Sequence, residues 1–345
     1  MATLKDVARL AGVGLGTASR VVAGKGSVSS EKMERVRAAI DELQFRPSHM
    51  ARSLMLGTTQ TIGVCIPILS GTFYTPVLQI IDTELRAAGV QMVVAFGSGE
   101  GDARTRAMRG IEFLIERGCD GFLLMATPLT EADLARLGAK RERIVVLNHH
   151  VDALPGSSFT LDHVLGGRLA ARMLLERQHR EIAVIAGPGN VTDNIQRIAG
   201  FLDELRRADI DPHGVWMGES DFSAAGGRAA ARMLLASGRR FTALFCANDE
   251  TAVGALSCFR EAGVGVPSDV SVIAYDDTPS AEYAAPPLTS VHLPWREMTQ
   301  NGVRQLLNIC YGLDHPVLRE FPLSVTRRLS LASLPRNATV PERRK

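Results

Sequence analysis

TLKDVARLAGVGLGTASRVVA, residues 3–23, decides how the head of this 345-residue chain folds. Leu4, Val7, Ala8 and Ala11 recur at i, i+3, i+4 and i+7, the period that gives a helix one apolar face. Thr3 and Asp6 supply the Thr-x-x-Asp start signal of that helix. Gly12 ends it. In the next segment Ala18, Val21 and Val22 turn inward, while Leu15, Gly16, Ser19 and Arg20 are thrown to the opposite side. Two short helices joined by a Gly-containing turn are the geometry that lays the second helix in a DNA major groove. The outward side is therefore the expected reading face.

A third helix is expected over VSSEKMERVRAAIDELQF, with Ser29 as N-cap, Glu31 in its first turn, and Val28 and Met33 spaced as a hydrophobic staple. Val36, Ile40 and Leu43 form its core face. Charge agrees with a nucleic-acid role. Residues 1–56 hold nine Lys or Arg against five Asp or Glu, leaving 30 basic and 32 acidic residues for the rest of the chain. A basic head on a near-neutral body suits contact with phosphates, whose released counterions supply most non-specific affinity.

The composition, 46% apolar and 5% aromatic, is that of an ordinary globular chain of two or three domains. The start MATLKDVARL has charges where a signal peptide needs an apolar run, and nothing approaches about 18 uninterrupted apolar residues. No membrane partner is expected, and the location is expected to be cytoplasmic. Cys65, Cys119, Cys246, Cys258 and Cys310 form no C-x-x-C pair and read as reduced, mostly buried thiols.

After residue 60 the pattern changes to short β-branched runs (TIGVCIPI, VQMVVAFG, CDGFLLMA, RIVVLN, EIAVIAG, ALFCAN, VSVIAYD) separated by helical segments. Such alternation is the signature of parallel sheets covered by helices, here enough for two doubly wound α/β subdomains. AARMLL occurs at 170–175 and again at 230–235, each time in a helix running into a strand. The echo fits either an internal repeat or local βαβ similarity. Between head and body, Pro47 stops the preceding helix and SHMARSLMLG can form barely two turns, too few to be stable alone. It reads as a hinge that folds on DNA or as a plain linker.

Taken together, TLKDVARLAGV, TASRVV, VSSEKMERV, ELQFRPSHMARSL and TIGV resemble the lactose/galactose repressor family of bacterial transcription regulators. The likeness continues through REIAVIAGP, RIAGF, ALFCANDETAVGAL, VPSDVSVIAYDDTPSAEYAAPPLTSV and SVTRRLS, so it covers nearly the whole chain. It implies an all-α helix-turn-helix head over 1–46 and a hinge helix and linker over 47–60. It further implies a periplasmic-binding-protein-like body of an N-subdomain (61–160 with 293–320) and a C-subdomain (161–292 with 321–335), and a tail at 336–345. The DNA contacts it implies are Thr3, Leu15, Gly16, Thr17, Ser19 and Arg20 in the head, and Ala51, Arg52 and Leu54 in the hinge. Leu54 matches the residue pushed between base steps in the minor groove. Arg20 can contact guanine in bidentate fashion, whereas Leu15 and Gly16 depart from polar base reading.

The same resemblance places a small-molecule effector against Phe73, Tyr74, Asn148, Arg197, Phe222, Asn248 and Asp276, all at or just beyond strand ends, where open parallel sheets bind ligands. Arg197, Asn248 and Asp276 can pair with neighbouring hydroxyls, and Phe73 or Phe222 can pack on an apolar face. The set suits a sugar or sugar acid. Val191, Thr192 and Asp193 stand where the purine-responsive branch carries base-holding Arg and Thr side chains, so a purine fits less well.

Enzyme motifs are missing or broken. There is no G-x-x-x-x-G-K-[ST], Pro188 interrupts the AGPGN mimic of a dinucleotide fingerprint, and no Ser stands in G-x-S-x-G. His149 and His150 are adjacent, diverge on a strand and cannot chelate one ion; they read as loop residues bordering the cleft. No catalytic residue, metal or cofactor is expected. The leading reading is an allosteric repressor that binds a near-palindromic double-stranded operator. A cytoplasmic sugar-binding module or sugar-acting enzyme on the same body is the alternative. PRNATVPERRK after Leu334 lacks apolar heptads, so a homodimer is expected.

Overall fold

The computed structural model describes residues 2–23, 28–45, 57–68, 72–97, 100–125 and 129–334. The head contains helices α1 (Leu4–Leu10), α2 (Leu15–Ala23) and α3 (Ser30–Glu42). Thr3 and Asp6 form the expected capping box, closing two amide donors that the first turn cannot satisfy internally. Val7, Ala11, Val36 and Ala39 make the small head core, with Val21, Ile40 and Leu43 packed against it. Leu4 is only half-buried. Gly12 takes φ +62°, and the Arg35 guanidinium donates to its carbonyl at 2.9 Å, pinning the turn from α3. Ser29 is the N-cap of α3 as expected, although its hydroxyl makes no capping bond. The main-chain carbonyl of Ser29 accepts from the Met33 N–H as the first i→i−4 bond of the helix.

The body holds two sheets. In the first, β1 (Thr61–Ile66), β2 (Gln91–Phe96), β3 (Gly121–Met125), β4 (Ile144–Leu147) and β5 (Ser158–Phe159) run parallel in the order β2-β1-β3-β4-β5. In the second, β6 (Ile182–Ala186), β7 (Trp216–Glu219), β8 (Ala243–Cys246), β9 (Ser271–Asp276), β10 (Thr289–His292) and β11 (Ser324–Thr326) run in the order β11-β10-β9-β8-β6-β7. Only the β10–β11 pair is antiparallel. All seven β-branched runs form strands. Four further strands, β5, β7, β10 and β11, lie towards or at the sheet edges, where short, partly exposed segments carry weak hydrophobic patterning.

Helices α4 (Tyr74–Ala87) and α5 (Ala103–Glu116) flank the first sheet, followed by the short α6 (Glu131–Arg136). Around the second sheet lie α7 (His163–Leu175), α8 (Thr192–Arg207), α9 (Ala224–Ala236), α10 (Asp249–Glu261) and the single-turn α11 (Pro279–Glu282). Strand β6 shows why helices cover both faces: Ile182 and Val184 join the α7/α8 core, while Ala183 and Ile185 join the α9/α10 core. The repeated AARMLL segments lie in α7 and α9, and so build equivalent helix pairs on opposite faces. Gly167 and Gly200 bring α7 onto α8, and Gly227 and Gly254 bring α9 onto α10. A Cβ at any of these four would sit inside the backbone of the facing helix.

Helix α12 (Trp295–Tyr311) packs on β3, β4 and α4, whereas β11 returns to the second sheet. The chain therefore crosses between lobes three times, and one continuous core runs through both. All five cysteines are free, four of them buried. Among the described residues no helix is long and apolar enough to cross a membrane.

Candidate functional site

Helix α2 presents Leu15, Gly16 and Arg20 to solvent, with Leu15 45% exposed. Ala18 is fully buried against the head core, and Thr17 and Ser19 are half-buried. Arg20 Nε donates to the Gly16 carbonyl at 3.2 Å, so its guanidinium lies along the exposed face. Thr3 is held by the α1 capping box, where its hydroxyl also donates to Asp6 at 2.7 Å. Ala51, Arg52 and Leu54 lie outside the described residues.

At the C-terminal ends of both sheets the lobes enclose a cavity of about 430 Å³. Phe73, Tyr74, Asn148, Arg197, Phe222, Asn248 and Asp276 all line it. Strand ends expose main-chain groups and helix N-termini that no further strand covers, which is why the walls gather there. His149 and His150 are not among the walls, correcting the expectation that they border the cleft; His150 pairs with Asp152 at 3.0 Å instead.

Arg197, on α8, is the centre of the second-lobe wall and only 4% exposed. Its Nη1 donates to the Ala247 carbonyl and its Nε to the Asp193 carbonyl at 3.3 Å. Its guanidinium lies 4.1 Å from the Tyr275 ring centroid and 5.8 Å from that of Phe222. Asp276 stands 3.8 Å from Nη1, with no described residue hydrogen-bonded to its carboxyl group. Burial holds that carboxyl well above the usual carboxylate range, an effect Arg197 opposes and the neighbouring Asp249, Asp193 and Glu250 reinforce. The carboxyl oxygens of Asp276, to which no described residue hydrogen-bonds, are left to hydrogen-bond hydroxyls.

A second chain of polar groups joins the lobes. Asn148 Nδ2 donates to Asp193 at 2.5 Å, Asn148 Oδ1 meets His163 Nε2 at 2.8 Å, and His163 Nδ1 meets the Tyr275 hydroxyl at 3.0 Å. Because Asn148 Oδ1 only accepts, Nε2 carries the proton and Nδ1 accepts from Tyr275. Burial, assisted by Arg197, pushes the His163 imidazole far below its ordinary range and keeps it neutral. Across the mouth, the Thr72 main-chain N–H and hydroxyl both donate to Glu250, the hydroxyl at 2.9 Å.

Four residues here adopt positive φ without being glycine: Asn148 (+56°), Phe222 (+67°), Asp276 (+102°) and Asp277 (+58°). Asn and Asp tolerate this region, but Phe222 does not, and such strain persists only where surroundings impose it. Asn248 does so. Its Oδ1 caps α10 through Thr251 N–H, and its Nδ2 donates to the Phe222 carbonyl, both at 2.9 Å. Asn248 therefore shapes the wall with groups already engaged within the protein.

Aromatic rings line the first lobe, with Phe73 edge-on to Trp295 at 4.5 Å and to Tyr74 at 5.1 Å. Burial and the nearby Asp193 and Asp276 keep the Tyr74 phenol protonated. Sequence reading missed Asp193, Glu250 and Trp295, which also line the cavity. For Trp295, scarcity was an available signal, since the chain has two tryptophans and this one follows the HLP segment directly. Among the described residues no cluster of side chains could hold a metal ion.

A helix-turn-helix head joined to a two-lobed ligand-binding body defines a DNA-binding transcriptional regulator. Residues 3–48 match bacterial regulatory proteins of the lacI family, and residues 153–331 match a periplasmic binding protein-like domain. The chain is 33% identical over 317 residues to the HTH-type transcriptional repressor PurR of Vibrio atlanticus, covering 91% of this chain and 94% of that protein. It is 32% identical over 334 residues to the HTH-type transcriptional regulator AscG of Escherichia coli, covering 96% and 98%. A solved LacI-family regulator from Burkholderia phymatum is 49% identical, with TM-score 0.76 over 79% of this chain and 99% of that one. The lac repressor dimer bound to operator and the anti-inducer ONPF is 29% identical, with TM-score 0.84 over 96% of this chain and 99% of that one. The chain belongs to the lacI family; it is a transcriptional regulator and not an enzyme.

Proposed function

We propose that this regulator is an allosteric, cytoplasmic repressor that binds a near-palindromic operator as a homodimer and changes its operator affinity when a small sugar-like effector occupies the cleft. The observation that carries this reading is a cavity between the lobes, walled by hydrogen-bonding and aromatic side chains from both, in a chain whose head exposes the face of α2. On DNA, Arg20 reads a base edge, Leu15 and Gly16 make close apolar contact, Thr3, Thr17 and Ser19 serve the backbone, and the segment with Ala51, Arg52 and Leu54 enters the minor groove.

In the cleft, Asp276 and Arg197 are spaced to take neighbouring hydroxyls, while Phe73, Tyr74 and Phe222 cover the less polar faces of a ring. A solved relative is described as a transcriptional regulator CelR–cellobiose complex, which supports a sugar. Asp193 lies in the 191–193 segment where a purine-responsive relative would carry base-holding side chains, and it already accepts from Asn148. Because the effector touches both lobes, it favours one lobe arrangement by its differential affinity, and that arrangement sets the spacing of the paired heads.

A gel-shift on the promoter upstream of the chain's own gene tests the DNA half. Absence of binding by the intact chain at low salt overturns it. A thermal-shift screen of sugars, polyols and nucleosides tests the effector half, since a ligand at about 100 times its Kd adds about 2.7 kcal/mol of stability.

A further inference from the structure

We propose that the cleft takes an uncharged sugar and rejects its phosphorylated and carboxylated counterparts; this rests on the sugar-effector reading above. Among the described residues Asp193, Asp221 and Glu250, together with Asp276, whose proton affinity burial raises, line the cavity against one cation, Arg197. That cation is already committed, with two of its nitrogens on main-chain carbonyls and its face on Tyr275. Neither neighbouring imidazole supplies positive charge, because burial pushes His163 and His149 below their ordinary range.

Helix N-termini are the remaining anion attractors, and among the described residues those of α4, α5, α8, α9 and α10 reach the cavity wall. Each already faces a carboxylate. Asp102 caps α5, and Asp221 accepts from the Ser223 N–H ahead of α9. Asp193 lies in the first turn of α8, and Asp249 and Glu250 lie in that of α10. Ahead of α4, the Thr72 N–H donates to Glu250. A phosphate or carboxylate would enter a site rich in acceptors and short of free donors, whereas hydroxyls would find partners. Burial is the first cause of the raised proton affinity of Asp276, and the neighbouring Asp249, Asp193 and Glu250 add to it.

The test is calorimetry on the intact chain with matched pairs: glucose with glucose 6-phosphate and gluconate, galactose with galacturonate, ribose with ribose 5-phosphate, plus cellobiose, hypoxanthine and adenosine. At least one neutral sugar should bind tenfold or more tighter than its anionic partners, and Asp221→Asn with Glu250→Gln should narrow that gap at least threefold. An acidic or phosphorylated sugar binding as tightly as its parent overturns the charge selection and leaves the sugar reading standing. A gap unchanged in the double variant also overturns it. Binding by a purine with every sugar silent, or by nothing, overturns the sugar reading and this proposal with it.

A separate observation carries a second inference: the geometry points to Asp120 and Tyr311 as positioning residues that tie the cleft to the linker leaving the head. Helix α12 has Trp295 in the cleft wall at one end and Tyr311 at the other, a rod of roughly 25 Å. The Tyr311 hydroxyl donates to Asp120 Oδ2 at 2.9 Å, and Asp120 accepts from Thr59 N–H at 2.9 Å and Thr61 N–H at 3.3 Å. The Thr59 hydroxyl adds a bond to the Gly118 carbonyl at 2.9 Å. A shift of α12 at the cleft is thereby passed to the first residues after the predicted hinge.

In a Trp216→Phe background, Trp295 alone reports by fluorescence. Promoter DNA should shift its emission, and Tyr311→Phe should halve the shift or more while DNA affinity stays within threefold. No shift in the parent, a shift unchanged by Tyr311→Phe, or lost DNA affinity overturns the inference.

Discussion

Arg197 is buried with its charge facing Asp276, and the two are held close without a direct hydrogen bond. Removing one member of a buried pair strands the other, typically at 3–5 kcal/mol. Arg197→Met should therefore lower stability by about 3 kcal/mol in a denaturant melt, the low end because the raised proton affinity of Asp276 lets it discharge by taking up a proton. His163 carries a second expectation. Its folded pKa lies below the unfolded value, so the folded state binds fewer protons and the stabilisation is present above about pH 6.5 and lost as pH falls. His163→Gln should be less stable than the parent at pH 8, and the deficit should shrink by up to about 1.4 kcal/mol per pH unit below 6.5. A constant deficit across that window would show that the imidazole is not held neutral. Asn148 and Asp276 were legible because each stands at a strand end, and Arg197, inside α8, because it opens the RIAGF motif. Asp193 and Glu250 were not, since a carboxylate in a helix first turn reads equally well as a response to the helix dipole.

At the scale of elements, the close helix pairs are the most sensitive feature. Gly167 and Gly227 face backbone atoms, not flexible side-chain ends, so an added methyl must push two helices apart. Overpacking of this kind costs about 1–3 kcal/mol. Gly167→Ala and Gly227→Ala should each lower the thermal midpoint, whereas Gly214→Ala, which meets open space, should not. On α2, Arg20→Ala should lose about 1–3 kcal/mol of discrimination at one operator base pair while leaving the melt unchanged, because the side chain is exposed. Competition between operator variants in a gel-shift reads this directly. Strands β1–β4, β6, β8 and β9 were legible from β-branched runs. Strand β7, half-exposed along its length, and β11, three residues long, have no period that distinguishes them from loop.

For the whole molecule, the basic head predicts steep salt dependence. If about 6–10 phosphates are contacted, raising salt from roughly 50 to 200 mM should weaken operator binding by about 10³–10⁵-fold. A flat salt profile would remove phosphate contact as the main source of affinity. Local pattern by itself determined the helix-turn-helix head, the alternation of strands and helices, and the strand-end residues, because each depends on periodicity or on a contiguous motif. Tertiary structure alone decided what those residues do to one another. Three crossings between the lobes bring Thr72 to Glu250, Asn148 to Asp193 and His163, and Tyr311 to Asp120. The charge of the cleft and the clamp on the linker arise from groups between 15 and 191 positions apart in sequence. Pairing at such separations is set by chain topology and the shape of the packed core, and neither has a local signature.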